Sequence, residues 1–420
     1  MNSALNNRFE ADYIIETAFD PQKAAEAMAG EQSSGTFIAL PGESPELKER
    51  SAARVEALEV IDEFASPSLP GAGRPAGSKI LRAKVTLSWP DANLNGTLPN
   101  LLATVAGNLF ELKQFSGLRL VDIRMTPTFE NKYGGPKFGI TGTRQLSGVA
   151  AGPVIGTIIK PSIGLTPAET ANLVNELCDA GIDFIKDDEL QGDASHCPFD
   201  ERVRSVMRVI RNHAAKTQKT VMYAFNVTGD LDEIRRRHDL VQQEGGTCIM
   251  ASLNSVGLVG MLELVRHTQL PLHAHRNGWG YLSRHPMLGW DYRAWQKVWR
   301  LAGVDHMHVN GIGNKFSESD ESVVRSAKAA FEPLFDTKPC IAMPVFSSGQ
   351  TVRQAEPTYQ ALGRADLIFA AGGGIMAHPG GPGDGVRSIR DAWDAAIAGI
   401  PLDIVAKSNT VMRLALETFR

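Results

Sequence analysis

Residues 181–190 read GIDFIKDDEL, an apolar run ending in a lysine and three consecutive acids. Burying four ionisable groups beside such a run is costly unless they pair or hold something. Strand side chains alternate between faces, so Lys186 and Asp188 share one face and Asp187 takes the other. Glu189 lies just past the strand and can bend in. Asp188 and Glu189 supply hard oxygen ligands of the kind Mg²⁺ takes; a buried ion-pair network around Lys186 fits the same spacing equally well. His273 with His275, and His306 with His308, each stand at i, i+2 and share a face. Such pairs bind metal, shuttle protons, hold phosphate, or are hydrogen-bonded core histidines. Arg276 follows His275, and its planar cation suits an anionic substrate group or a surface ion pair. FSSGQ, with Ser347, Ser348 and Gly349, and AAGGGIMAHPGG, with Gly372 and Gly373, can aim backbone N–H groups at a phosphate or simply form tight turns. Lys315, in HVNGIGNKFSE, sits in a Gly-containing loop that can act as a lid.

These residues need a scaffold that gathers them. Eight short apolar runs recur from residue 154 onward: VIGTIIK, IDFIK, VMYAFN, TCIMAS, LPLHAH, HMHVN, IAMPVF and LIFAAGG. Amphipathic segments such as PAETANLVNELCDAG and DLDEIRRRHDLVQQEGG lie between them. Alternating β and α segments with near-continuous apolar strands imply a parallel sheet covered by helices. Eight such units predict a closed (β/α)8 TIM barrel, whose chemistry collects at the carboxyl ends of the strands. Lys160 ends the first run, the KDDE group the second, Asn226 the third, the histidine pairs the fifth and sixth, the serines the seventh and the glycines the eighth. Packing alone does not place polar groups at so many strand ends.

The first ~138 residues read as an α+β, ferredoxin-like unit. Strands are expected at YIIETAF, SGTFIALP, RVEALEVIDEF, ILRAKVTLSWP and GLRLVDIRM, and helices at PQKAAEAMAG and TLPNLLATVAGNLF. Pro and Gly crowd residues 126–154, a candidate linker. The domains are therefore placed at 1–138 and 139–420, the second ending in a helical tail.

A chain of 420 residues with 43% hydrophobic and 21% charged residues has the composition of a globular protein of two or three domains. The net charge of -4 and the lack of a basic block argue against a nucleic-acid partner. No apolar run reaches membrane-spanning length, and the first residues lack a signal-peptide pattern. Four scattered cysteines without metal spacing fit a reducing cytoplasm.

GTIIKPSIGLT, GIDFIKDDE, HAHR, DHMHVNGIGNK and FAAGGGIMAHP, with N-terminal EQSSGTF and VAGNLFELK, resemble the RuBisCO large chain in the family's order, from about residue 12 to 390. The resemblance implies a Mg²⁺ ion held by Asp188, Glu189 and a CO2-derived carbamate on Lys186. It also implies a proton-shuttling Lys160, a catalytic His275, a phosphate-binding Arg276, a phosphate-side His308 and a lid Lys315. Ser347 or its neighbour Ser348 would contact substrate, and Gly349, Gly372 and Gly373 would offer phosphate-binding backbone. Glu31, Thr36 and Asn108 match residues that reach a neighbouring subunit's site, which implies a homodimer with shared sites or a higher assembly of such dimers.

The departures matter as much. KPS puts Ser162 where carboxylases carry a second lysine. Phe37 replaces a tryptophan, Trp279 a third histidine, and Val309–Asn310 a Ser-Gly pair. The pattern is that of a RuBisCO-like protein, form IV, rather than a carboxylase. It implies a Mg²⁺-dependent enzyme that forms an enolate or enediolate from a phosphorylated keto sugar or 3-keto sugar acid. Decarboxylation or C–C cleavage of the 3-oxo-isoapionate-4-phosphate type is the favoured reaction, because Asn108 stands where methionine-salvage enolases carry a lysine. The alternatives are an enolase or isomerase of a phosphorylated ketose, and a non-catalytic sugar-phosphate-binding relative.

Overall fold

The structure is a computed structural model, described for residues 7–35 and 40–420; Thr36 and Phe37 lie outside the described residues. The strands, numbered along the chain, are β1 (Arg8–Thr17), β2 (Arg54–Phe64), β3 (Ile80–Pro90), β4 (Phe115–Arg124), β5 (Val154–Ile158), β6 (Phe184–Lys186), β7 (Met222–Asn226), β8 (Cys248–Ser252), β9 (Leu272–His275), β10 (Leu288–Trp290), β11 (His306–Asn310), β12 (Met343–Phe346) and β13 (Ile368–Ala370).

The chain divides into two compact units. Among the described residues of the first, a five-stranded sheet runs in the order β10-β4-β1-β3-β2. Phe9, Ala11, Tyr13 and Ile15 of β1 are buried and alternate with less buried positions, the period of a strand with one face on a core. Helices Pro21–Glu31 and Leu98–Ala106 bury Ala24, Ala25 and Met28, and Leu98, Leu101 and Val105. Of the strand expected over 34–41, residues 36–39 lie outside the described residues. Residues 278–302 and 334–338 also belong to this unit. β10 pairs in parallel with β4, and Lys297 of the helix Tyr292–Ala302 donates to Asp122 and to the Ile123 carbonyl.

In the second unit the eight expected runs form a closed parallel barrel, β11-β12-β13-β5-β6-β7-β8-β9. Its interior is filled by Val154, Phe184, Met222, Ala224, Cys248, Met250, Met343, Val345, Ile368 and Ala370, so the barrel is a packed core. The expected linker over 126–154 is not structureless. It contains the helices Pro127–Lys132 and Gly139–Ser147. Ile140 and Leu146 of the latter pack against the barrel core. Its start is fixed by Asp305, whose carboxylate accepts from the Phe138 and Gly139 N–H groups and from Leu272 N–H, at 2.7–2.8 Å. Tertiary packing overrides the local Gly signal here. Three helices, Pro382–Ala398, Leu402–Ser408 and Thr410–Thr418, end the chain.

Candidate active site

The GIDFIKDDEL segment resolves its four charges by direction. Lys186 ends β6 fully buried, and its Nζ donates to the Asp187 carbonyl at 2.7 Å and lies 3.6 Å from Glu189 Oε2. Asp187 points away from it. Its carboxylate pairs with buried Arg202 at 3.2 Å, and it accepts from Tyr223 Oη at 2.6 Å and from Asn226 N–H at 2.9 Å. Asp187 is therefore a fully satisfied structural acid. Asp188 Oδ2 receives Lys160 Nζ at 2.5 Å, and the same ammonium donates to Ser162 Oγ at 2.8 Å. Ser162 thus holds Lys160 with a neutral hydroxyl. Glu189 Oε2 lies 3.5 Å from His275 Nε2. The turn carrying Asp188 and Glu189 is pinned by Asn226, whose Nδ2 donates to the carbonyls of Glu189 and Gln191.

Two cations and two carboxylates thus meet at the carboxyl ends of β5 and β6. Burial pushes the Lys186 ammonium below its ordinary range, against the pull of Glu189, Asp188 and Asp187. Burial opposes ionisation of Glu189, but His275 and Lys186 outweigh it and hold the carboxyl down at about 2. Burial, helped by the Lys186 charge, lowers His275 to about 4, so its imidazole is neutral at pH 7. The carboxylates of Asp188 and Glu189 are oxygen donors suited to a hard divalent cation.

A second group lies deeper. His308 Nε2 meets His273 Nε2 at 2.7 Å, His273 Nδ1 faces His306 Nδ1 at 3.4 Å, and His306 Nε2 meets Thr143 Oγ1 at 2.7 Å. At the other end His308 Nδ1 meets Ser347 Oγ at 2.9 Å. Burial holds all three histidines low, His306 at about 3. His273 and His306 belong to the barrel interior, whereas His308 connects it to the rim, stacking edge-on against His275 at 4.7 Å.

The loop after β11 closes over this end. A Cβ on Gly311 would lie 2.1 Å from the Gln350 side chain, which would have to shift. Lys315 N–H donates to the Ser348 carbonyl at 3.2 Å, while its ammonium sits over the Phe316 ring and is exposed. Ser348 Oγ donates to Asn310 Oδ1 at 3.0 Å. Gly349 lies beside Lys315, and a Cβ on Gly372 would lie 3.8 Å from Lys160 Cε. Arg276, nearly buried, pairs with Glu318 at 2.7 Å.

The expected residues of the barrel unit therefore gather at its rim, with the Lys315 ammonium turned toward Phe316. In the first unit Asn108 Nδ2 donates to Glu31 Oε1 at 3.3 Å, and Thr36 lies outside the described residues. Sequence reading missed Glu318. No spacing signals it, because Arg276 comes from the end of another strand, β9.

Two families match this chain, the ribulose bisphosphate carboxylase large chain catalytic domain over residues 139–419 and the N-terminal domain of the same chain over 11–129. The chain belongs to the RuBisCO large-chain family. Within it, the similarity is to RuBisCO-like proteins. The chain is 59% identical over 416 residues, 99% of this chain and 100% of the relative, to the 3-oxo-isoapionate-4-phosphate transcarboxylase/hydrolase of Xanthobacter autotrophicus. It is 44% identical, over 97% of both chains, to the 3-oxo-isoapionate-4-phosphate decarboxylase of Rhizobium etli. A solved RuBisCO-like protein from Burkholderia fungorum superposes with a TM-score of 0.92 at 46% identity, covering 99% of this chain and 100% of the other. Two more distant solved members, from Pyrococcus horikoshii (31% identity, TM-score 0.86) and Hyperthermus butylicus (27%, 0.84), each cover 99% of this chain and 96% of their own; the first is octameric and the second dimeric. Among the described residues, no helix is long and apolar enough to cross a membrane.

Proposed function

We propose that this RuBisCO-like enzyme removes the carboxyl group from a phosphorylated 3-oxo sugar acid of the 3-oxo-isoapionate-4-phosphate type. The observation that carries the reading is the end-to-end 59% identity with a transcarboxylase/hydrolase of that substrate. The rim cluster supplies the chemistry such a reaction needs.

Asp188, Glu189 and a carbamate on Lys186 would hold a Mg²⁺ ion. The fit rests on the donor set and on burial. Carbamylation needs a neutral amine, and burial drives Lys186 toward that form. The carbamate then converts a cation beside two carboxylates into a third oxygen donor. The ion, when bound, supplies Lewis acidity at the substrate's carbonyl oxygen.

The protein's own residues do the rest. The bond between the carboxyl carbon and its neighbour breaks, and its electron pair moves into the adjacent carbonyl as an enolate. Lys160, held by Ser162 and Asp188, gives its proton to the carbon that has lost the carboxyl group. Neutral His275 accepts a hydrogen bond from a substrate hydroxyl. Gly372 and Gly373, next to Lys160, bind the phosphate through backbone N–H groups, and Lys315 on its loop covers the site. Ser347, Ser348, Gly349 and His308 line the far end. Glu31, Thr36 and Asn108 complete a neighbouring subunit's site in a homodimer. Buried, free cysteines fit a cytoplasmic setting.

The 44% relative is named for release of the carboxyl group and the 59% relative for its transfer and hydrolysis, and protonation by Lys160 completes release. Substrate carrying ¹³C in the carboxyl group, followed by NMR with Mg²⁺ and bicarbonate, tests this. Label in CO2 and bicarbonate is the expected result. Label in a new carboxylic acid would make the enzyme a transcarboxylase, and label left in place would refute the proposal.

A further inference from the structure

The Arg276 end of the rim carries a counter-charge. Arg276 Nη2 donates to Glu318 Oε2 at 2.7 Å, and the same oxygen receives Asn310 Nδ2 at 2.7 Å. Glu318 Oε1 accepts from Ser322 Oγ at 2.9 Å. The carboxylate is thus fixed from both sides, and with only 15% of its side chain exposed it is poorly screened. Asn310, one of its two rim partners, is also one of the positions where the chain departs from the carboxylase pattern.

Of the neighbouring groups, Lys315 holds its ammonium over the Phe316 ring, and the others add no positive charge. His308 is a buried, neutral imidazole already joined to His273 and Ser347. Ser347 and Ser348 are neutral, and Ser348 is committed to Asn310. A phosphate dianion docking on Arg276 would meet a rigid carboxylate already paired with that guanidinium. A hydroxyl meets a matched pair, able to donate to Glu318 and accept from Arg276.

We propose that Glu318 sets the substrate class: the Arg276–Glu318 pair recognises an uncharged, hydroxyl-bearing terminus, so the site takes sugar acids with one phosphate and rejects bisphosphates. This rests on the reading of the rim as the substrate site. It goes beyond that reading by assigning one end a discriminating residue.

The test is calorimetric binding of two unreactive probes, a pentitol 5-phosphate and the matching pentitol 1,5-bisphosphate, with Mg²⁺ present. Wild type is expected to bind the monophosphate at least tenfold more tightly. Glu318→Gln keeps the shape and removes the charge, and is expected to shift the bisphosphate-to-monophosphate affinity ratio at least tenfold toward the bisphosphate. Glu318→Ala should shift it in the same direction, so a folding defect peculiar to one variant does not decide the matter. An unchanged ratio in both variants, a wild type that prefers the bisphosphate, or no binding of either probe to wild type would overturn the inference. The assay needs no turnover. Lost selectivity with turnover of the 3-oxo acid intact sinks only this inference, whereas intact selectivity without such turnover sinks only the proposed reaction.

Discussion

The two ends of the barrel both bury acids, and they treat them in opposite ways. At the amino-terminal end, Asp305 accepts three backbone N–H groups, Asp183 takes Ile155 N–H together with Lys219 and Arg390, and Asp366 pairs with Arg144 and Arg364. Each is matched by backbone N–H groups or by basic side chains that also bond nearby carbonyls, as Arg144 does with Val149 and Lys219 with Gly181, and these bonds tie the helix Gly139–Ser147 and the strand starts together. At the carboxyl-terminal rim, Asp188 and Glu189 are matched by Lys160, Lys186 and His275, groups that can change proton state or bind CO2. One end uses charge to fix structure, and in the proposed reaction the other holds charge in reserve for chemistry. Asp187 and Asp188 repeat the contrast within one dipeptide.

Substitutions should separate the two ends. The largest effect is expected from Lys186→Ala, which should cut turnover by about 1000-fold yet keep a cooperative thermal transition near that of wild type. A collapse of the fold instead would class Lys186 with the structural acids. Asp305→Ala comes next. It strands three backbone donors at about 1–3 kcal/mol each, so denaturant unfolding should show a loss of about 3 kcal/mol or more while the remaining folded protein keeps its turnover. Asn226→Ala removes the side chain that holds the Asp188–Glu189 turn. By analogy with supporting ligands it should lower turnover or metal affinity about 10- to 100-fold with little change in melting temperature, measured by steady-state kinetics against Mg²⁺ concentration.

The smallest effect tests the amino-terminal end by pH. Burial would raise the Asp366 carboxyl, but hydrogen bonds from Arg364 and Arg144 outweigh it and hold it below its ordinary value. A depressed carboxylate stabilises above its unfolded pKa of about 4 and loses that contribution as pH falls through the folded value. Wild type should therefore exceed Asp366→Asn by less than about 1 kcal/mol at pH 6, and by less still at pH 3.5, in urea titrations.

How much of this was legible in the sequence differs between the ends. The rim was readable because its residues cluster in short motifs at strand ends, where strand alternation alone separates Lys186 from Asp187. The eight strands were readable because buried parallel strands are continuous apolar runs. The amino-terminal closure was not. The helix Gly139–Ser147 hides in a Gly- and Pro-rich stretch and owes its place to Asp305, more than 160 residues away. Glu318 was hidden for the same reason, since its meaning depends on Arg276 at the end of β9. The placement of 278–302 with the first unit likewise follows from contacts with β4 and from no local pattern.

The most direct test of the central claim follows wild type and Lys186→Ala in D2O with Mg²⁺ and bicarbonate. A phosphorylated 3-oxo sugar acid and a phosphorylated ketose would be offered in parallel and read by NMR. The account predicts that wild type strips the carboxyl group from the 3-oxo acid, leaving deuterium at the carbon that carried it, and that Lys186→Ala does not. Deuterium uptake beside the ketose carbonyl with no carbon lost from the 3-oxo acid would contradict it and make the enzyme an isomerase.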